Sequence, residues 1–277
     1  MSVTAPAGTS VGILPFHYKL EEPLLSNGSQ FVINDEEFTL NIAHIITEDD
    51  TPVDNLASEK QQRLLTEPLY SNWLHSPFLA AANVGIFAGI NQPPIVPDMF
   101  LSLGVQPATN WWQKQHRSYF LWEFGKAPEV VVEMVSNKKG GELSRKLKDY
   151  AQLGVLYYVV YDPEKQVQTT PLVVYELHVG EYFARKDTHL AKVGLSLTLW
   201  TGVFEQRHDT WLRWAESSGT IILTGAERAA QEKARAEKAE TRAEEAVTLA
   251  EKERRRAEKL LAQLKALGIE PEGDEGI

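Results

Sequence analysis

Glu133 stands inside an otherwise apolar run, Val130, Val131, Val132, Met134 and Val135. Such a run reads as a strand buried on both faces, where a carboxylate is costly unless neutralised, paired or bound to a cation. A second acid, Asp98, follows Pro97 in "VPDMFLSL", again at the mouth of an apolar strand. A lysine lies soon after Glu133, in "GELSRKLKDYAQLG". Helical periodicity puts Lys146 about 40° from Tyr150 and about 60° from Leu143, bordering a packing face of Leu143, Leu147, Tyr150 and Gly154. Arg145 and Lys148 point away from that face, and Glu142 stands one turn before Lys146 on the same flank. Two carboxylates from neighbouring strands beside an ammonium suit hydrolysis assisted by Mg²⁺, which takes oxygen ligands and keeps several waters. The ammonium would stabilise developing charge or orient the attacking water. The same residues also fit a purely structural arrangement: a buried Glu133–Lys146 ion pair, with Asp98 an ordinary strand-start residue.

The elements that must position these residues follow from the pattern along the chain. Short strands such as "FTLNIAHIIT" precede a helical patch, "SEKQQRLLTEPLYSNWL". The runs "FLAAANVGIFAGI", "PPIVPDMFLSLGV", "SYFLWEF" and "APEVVVEMVS" read as strands. The lysine-bearing helix comes next, then "VLYYVVYDPEKQ", "LVVYELHVGEYFAR" and "LSLTLWTGVFE". Strands, a helix and further strands predict a mixed sheet with a crossover helix, an α/β (α+β) domain. Near Thr224 the composition changes: all seven tryptophans lie before it. After it, Ala, Glu, Lys and Arg continue without Pro or Gly from Ala226 to Leu267, which predicts one long helix. Its seam of Ala243, Val247, Ala250, Ala257, Leu261 and Leu264 is broken by Glu240 and Arg254, so a coiled coil and a solvated helix both fit. The expected organisation is N-terminal strands and helix completing the core over residues 1–75, the core itself over 76–224, and a helical tail over 225–277 that adds little to core stability.

Composition narrows the function classes. The chain has 277 residues, is 43% hydrophobic and 24% charged, and contains no cysteine, which excludes disulfides and cysteine-based zinc sites and fits a cytoplasmic setting. No apolar stretch approaches the ~20 residues of a membrane span, and the N-terminus lacks the pattern of a secretory signal. A net charge of −10 argues against general affinity for nucleic acid but leaves room for an acidic metal pocket with a small basic rim. Two such rims present themselves. Lys138 and Lys139 precede a helix start in "SNKKGGE", where backbone amides favour anions. In "WWQKQHRSYFLWEF", Trp111, Trp112, Lys114, Arg117 and Tyr119 interleave as a stacking and phosphate-binding surface would, although core packing and a turn explain the pattern equally well. The seven histidines show no metal-ligand spacing, and neither a phosphate-binding glycine loop nor a nucleophile elbow is present.

Taken in order, "VPD" (Val96 to Asp98), "VVEMVS" (Val131 to Ser136), "ELSRKLKDY" (Glu142 to Tyr150), "GVLYYVVYDP" (Gly154 to Pro163) and "GLSLTLWTGVFE" resemble the Uma-two family, cyanobacterial restriction-endonuclease-like proteins of the PD-(D/E)xK nuclease superfamily. The resemblance spans roughly Leu74 to Phe204. It implies a restriction-endonuclease-like core that hydrolyses phosphodiester bonds in DNA with Mg²⁺ or Mn²⁺. Asp98 and Glu133 would be the metal ligands, Lys146 the catalytic lysine, and Glu142 a supporting acid where the family usually has aspartate. In the superfamily's basic motif the lysine lies two residues after the second acid, a position held here by Val135, so the lysine would have moved onto the helix. Some members add an acid from an early helix, for which Glu59 and Glu67 are the candidates. A homo-oligomer joined through the tail is the expected assembly. The alternative is an inactive nuclease-fold scaffold whose coiled-coil tail recruits proteins.

Overall fold

The computed structural model describes residues 33–34, 37–38, 55–73, 77–136 and 141–268. A short antiparallel ladder, β1 (Ile33–Asn34) with β2 (Glu37–Phe38), belongs to a separate N-terminal unit, Met1–His44. Of the strand predicted in "FTLNIAHIIT", only Phe38 lies among the described residues.

The main body starts with α1 (Leu56–Asn72), capped by the Asn55 side chain on the Ser58 amide. Three strands follow, β3 (Phe78–Ala81), β4 (Ile86–Phe87) and β5 (Met99–Leu103). Next come β6 (Tyr119–Phe120), the single-turn helix α2 (Leu121–Phe124), β7 (Val130–Met134), α3 (Arg145–Leu153) and β8 (Tyr157–Tyr161). A hairpin, β9 (Leu172–His178) and β10 (Glu181–Ala184), leads to β11 (His189–Leu190), β12 (Leu195–Phe204) and β13 (Arg207–Glu216). The chain closes on α4 (Gly225–Ala266). The order β10–β9–β8–β7–β5–β3 forms a six-stranded mixed sheet in which β7 and β8 are parallel and the remaining pairs antiparallel. This is the mixed α/β sheet with flanking helices and a long C-terminal helix that the sequence predicts.

The centre of the sheet is covered on both faces, and side-chain alternation along β7 sorts its residues between them. Val130, Val132 and Met134 pack with Leu65 and Leu69 of α1 and with Leu197, Leu212 and Trp214 of the three-stranded sheet β11–β12–β13. Val131 and Val135 pack with Phe100, Tyr150, Tyr158 and Val160 on the α3 side. Glu133 falls between Val131 and Val135 and shares their face. Each buried valine contributes about 1.5–3 kcal/mol, so the strand is held in register by its neighbours and tolerates one acid among them. The parallel β7–β8 pair requires a crossover, which α3 supplies; it ends at Gly154, whose φ of +83° a residue with a side chain would adopt under strain.

Two local predictions are corrected. "SYFLWEF" is not a strand of the main sheet: after two residues paired in parallel with β4 it turns into α2, ended by Gly125 at φ +71°. Its aromatic β-propensity yields to the tertiary setting. Leu143 lies in a turn ahead of α3 and is exposed, so it takes no part in the helix packing face.

The helical tail is anchored at its root. Thr224 and Glu227 form a reciprocal capping box, and Glu67 accepts the Gly225 amide at 2.9 Å. Glu227 also takes both Arg213 terminal nitrogens, at 2.7 and 2.6 Å, while Arg213 itself is only 2% exposed and stacks over the Trp200 ring. Burial pushes the Glu227 carboxyl up, but Arg213 and the Thr224 amide hold it below the ordinary range. From Arg228 to Gln263 the side chains are exposed.

Candidate active site

Four elements converge on the two acids. One step beyond the Met99–Val132 pairing, the antiparallel register brings Asp98 level with Glu133. Asp98 accepts the Met134 amide at 2.5 Å, a donor that β7 presents past the end of β5. Its other oxygen lies 3.4 Å from Gln62 Nε2 of α1, and Gln62 is paired with Asn83 in turn. Glu133 is 1% exposed, and each of its oxygens has a donor from α3. Lys146 Nζ lies 2.8 Å from Oε2, and the Tyr150 hydroxyl donates to Oε1 at 2.6 Å. Residues four apart share a helix face, which is why both reach the same carboxylate. Glu142 also stands 3.6 Å from Lys146, and its carbonyl accepts the Tyr158 hydroxyl.

The electrostatics follow from burial and like charge. Burial pushes the Glu133 carboxyl up to about 8, against the pull of Lys146 and with the Asp98 charge adding to the rise. Burial works against the Lys146 ammonium, but Glu133, Glu142 and Asp98 hold it above the usual lysine range, so it stays charged. Burial and the Glu133 charge raise the Tyr150 phenol well above its usual range and keep it a donor. Glu133 therefore binds its proton more tightly folded than unfolded. Between the ordinary carboxyl value of 4.5 and about 8, the metal-free protein should lose stability as pH rises, by on the order of a few kcal/mol. Denaturant unfolding from pH 5 to 9 should show that decline in the wild type and a flatter curve in Glu133→Gln; parallel curves would contradict the shift.

The donor set fits a hard divalent cation. Both acids offer oxygen only, and each Glu133 oxygen keeps a lone pair beyond its single hydrogen bond. Burial is what chiefly raises the Glu133 carboxyl, with Asp98 adding to it, and a bound cation would favour the ionised form. Among the described residues no cluster of three or more His, Asp or Glu could hold a metal, so an ion here would keep several waters, as Mg²⁺ does.

The other predicted residues are placed as follows. Val135, at the position of the superfamily's basic-motif lysine, is buried and its amide bonds to Tyr161. Lys148 is exposed. Neither early-helix acid is among the partners of the site: Glu59 pairs with Arg63 and Lys60, and Glu67 with Ser71 and the root of α4. The residue that α1 does send to Asp98 is an amide, Gln62, which has no acid signature to find. Tyr150 was legible as a packing residue, but its hydroxyl bond to Glu133 was not. Arg117 lines a separate aromatic groove described below, and Lys114 lies in the turn just before it. Lys138 and Lys139 lie outside the described residues.

A model of the Uma2 family, described as "Putative restriction endonuclease", matches residues 46–199, more than half of the 277-residue chain. The chain belongs to the Uma2 family. Asp98, Glu133, Glu142, Lys146 and Tyr150 all fall inside the Uma2 segment. Among solved structures the chain is similar to a DUF820 protein from Anabaena variabilis ATCC 29413, described as a "putative nuclease". The two are 13% identical with a TM-score of 0.35, over 50% of this chain and 71% of that one. No curated protein matches.

Proposed function

We propose that this Uma2 protein is an endonuclease that hydrolyses phosphodiester bonds in DNA with the help of Mg²⁺ or Mn²⁺. The observation that carries this reading is the convergence of Lys146 and Tyr150 on buried Glu133, level with Asp98, inside the family segment. Asp98 and Glu133 would hold the cation. When bound, it would neutralise phosphate charge and lower the pKa of a water. Tyr150 fixes the Glu133 carboxylate by its buried hydroxyl bond, and Glu142, after Glu133 itself, helps keep the Lys146 ammonium charged. Lys146 would then meet the negative charge that builds on the phosphate. The exposed seam of α4, Val247 and Leu261 among its residues, would join two copies.

The test is metal-dependent stability together with cleavage. At about 100 times its dissociation constant, Mn²⁺ should stabilise the protein by about 2.7 kcal/mol. The effect should be larger at pH 9 than at pH 6, because Glu133 must first lose its proton, and it should vanish in Asp98→Asn. A thermal midpoint indifferent to millimolar Mg²⁺ and Mn²⁺, with no cleavage of duplex, branched or single-stranded DNA, would sink the reading. One observation favours a second reading, an inactive scaffold: Glu133 and Lys146 are in direct contact at 2.8 Å, so the buried charge is already partly compensated without a metal. That same null result would support it.

A further inference from the structure

We infer that the groove beside Trp111 and Trp112 is a second nucleic-acid subsite, which stacks the bases of an unpaired DNA strand. The inference rests on the nuclease reading only for its choice of DNA. The groove encloses about 550 Å³, and its walls include Leu79, Phe100, Tyr119 and Phe124, with Trp111, Trp112 and Arg117 at the rim. Trp111 is 62% exposed and Trp112 84%. Two adjacent indoles left in water add little to folding, whereas flat aromatic faces are what successive bases stack on.

The loop that carries them is braced rather than loose. The Asn110 side chain accepts the Trp112 amide at 3.0 Å, and Arg117 Nε donates to the Trp112 carbonyl at 3.1 Å. His116 Nδ1 lies 2.7 Å from the Asn110 carbonyl; a carbonyl only accepts, so this nitrogen carries the proton. A 3-10 turn, Lys114–His116, joins the two braces. The backbone that carries Trp112 is thus held in place before binding.

Charge singles out an anionic polymer among apolar ligands. The chain carries a net −10, yet none of the residues lining this groove is an acid, while Arg117 and His116 both line it and Lys114 lies in the same turn. Position links it to the acids: Phe100 and Tyr119 of the groove belong to the same apolar cluster as Val131 and Tyr150. The groove therefore lies at the β3 edge of the sheet, bordered by Leu79 and Phe100 of the α3-side cluster and by Tyr70 and Ala80 of the α1 side.

The experiment uses the full-length protein in EDTA, so that binding is read without cleavage. Fluorescence anisotropy of a labelled oligothymidylate is compared for wild type, Trp111→Ala, Trp112→Ala and Arg117→Ala, with a blunt duplex of equal length alongside. Each tryptophan variant should weaken single-strand binding by about tenfold or more. Duplex binding should be weak and little changed by either tryptophan variant, and Arg117→Ala should lower the salt dependence. Since both indoles are exposed, the variants should keep the wild-type unfolding midpoint, which confirms that folding is intact. Single-strand affinity equal in wild type and both tryptophan variants would overturn the inference. So would tighter binding of the duplex, or of an RNA strand. If the metal-loaded protein fails to cleave but the tryptophan-dependent binding persists, the nuclease reading falls and this subsite stands.

Discussion

Lys146→Ala should lower DNA cleavage by about 100-fold or more, the usual scale for removing one group that stabilises the transition state. Lys148→Ala, two residues along the same helix and exposed, should change the rate little and affect only salt-dependent affinity. The comparison is sharp because both substitutions remove one positive charge from one helix. The structure adds a condition. Lys146 is an ion-pair partner of Glu133 as well as the proposed electrostatic group. Its removal leaves the Glu133 carboxyl with only the Tyr150 donor and lets burial push it above about 8. Part of the loss at neutral pH would then reflect a protonated metal ligand. Rates should therefore be compared up to about pH 9.5. If the ammonium acts on the phosphate, the defect persists at high pH; complete recovery there would reduce Lys146 to a partner that keeps Glu133 ionised. Equal losses in Lys146→Ala and Lys148→Ala would show that the assigned lysine is wrong.

Glu227→Ala should destabilise the protein by about 3 kcal/mol, the scale for stranding a buried charge, although Glu227 lies at the start of a helix that otherwise stands in water. Its carboxylate takes both terminal nitrogens of Arg213, which is 2% exposed. Removing one partner of such a pair strands the other's charge in the interior. The same substitution breaks the capping box with Thr224. Ending the chain after Thr224 should be at least as damaging, since it also removes the amide that caps Glu67. Ending it after Ala239 should leave the unfolding midpoint within about 0.5 kcal/mol of the full chain, as exposed helical ion pairs are worth no more than that. Glu237→Ala, which disrupts one such pair with Lys233 at 3.9 Å, is the matched control. Equal midpoints for Glu227→Ala and Glu237→Ala in denaturant unfolding would contradict the clamp. The tail beyond Ala239 should thus add little to the core, and its first turn a great deal.

What the sequence determined by itself is whatever local periodicity encodes. The apolar residues on either side of Glu133 announce a strand covered on both faces. The spacing from Lys146 to Tyr150 puts both on one side of a helix, and the alanine- and charge-rich segment after Thr224 announces a long helix. Each of these depends on residues within a turn or two of one another, so a single segment carries the signal. The tertiary structure decided the pairings between segments. Gln62 meets Asp98 across 36 positions and Arg213 meets Glu227 across 14; an amide or an arginine carries no periodic mark of its partner. It also decided where propensity yields. "SYFLWEF" has the composition of a strand, yet it becomes two paired residues and one helical turn, because β4 offers only a two-residue edge. Tyr150 looked like packing, and it does pack, but its hydroxyl reaches Glu133 only because β7 and α3 bring the two within hydrogen-bond distance. Periodicity tells which face a residue occupies. Which polar atom waits on the opposite element follows from the packing of distant segments, and there the chemistry of the site is settled.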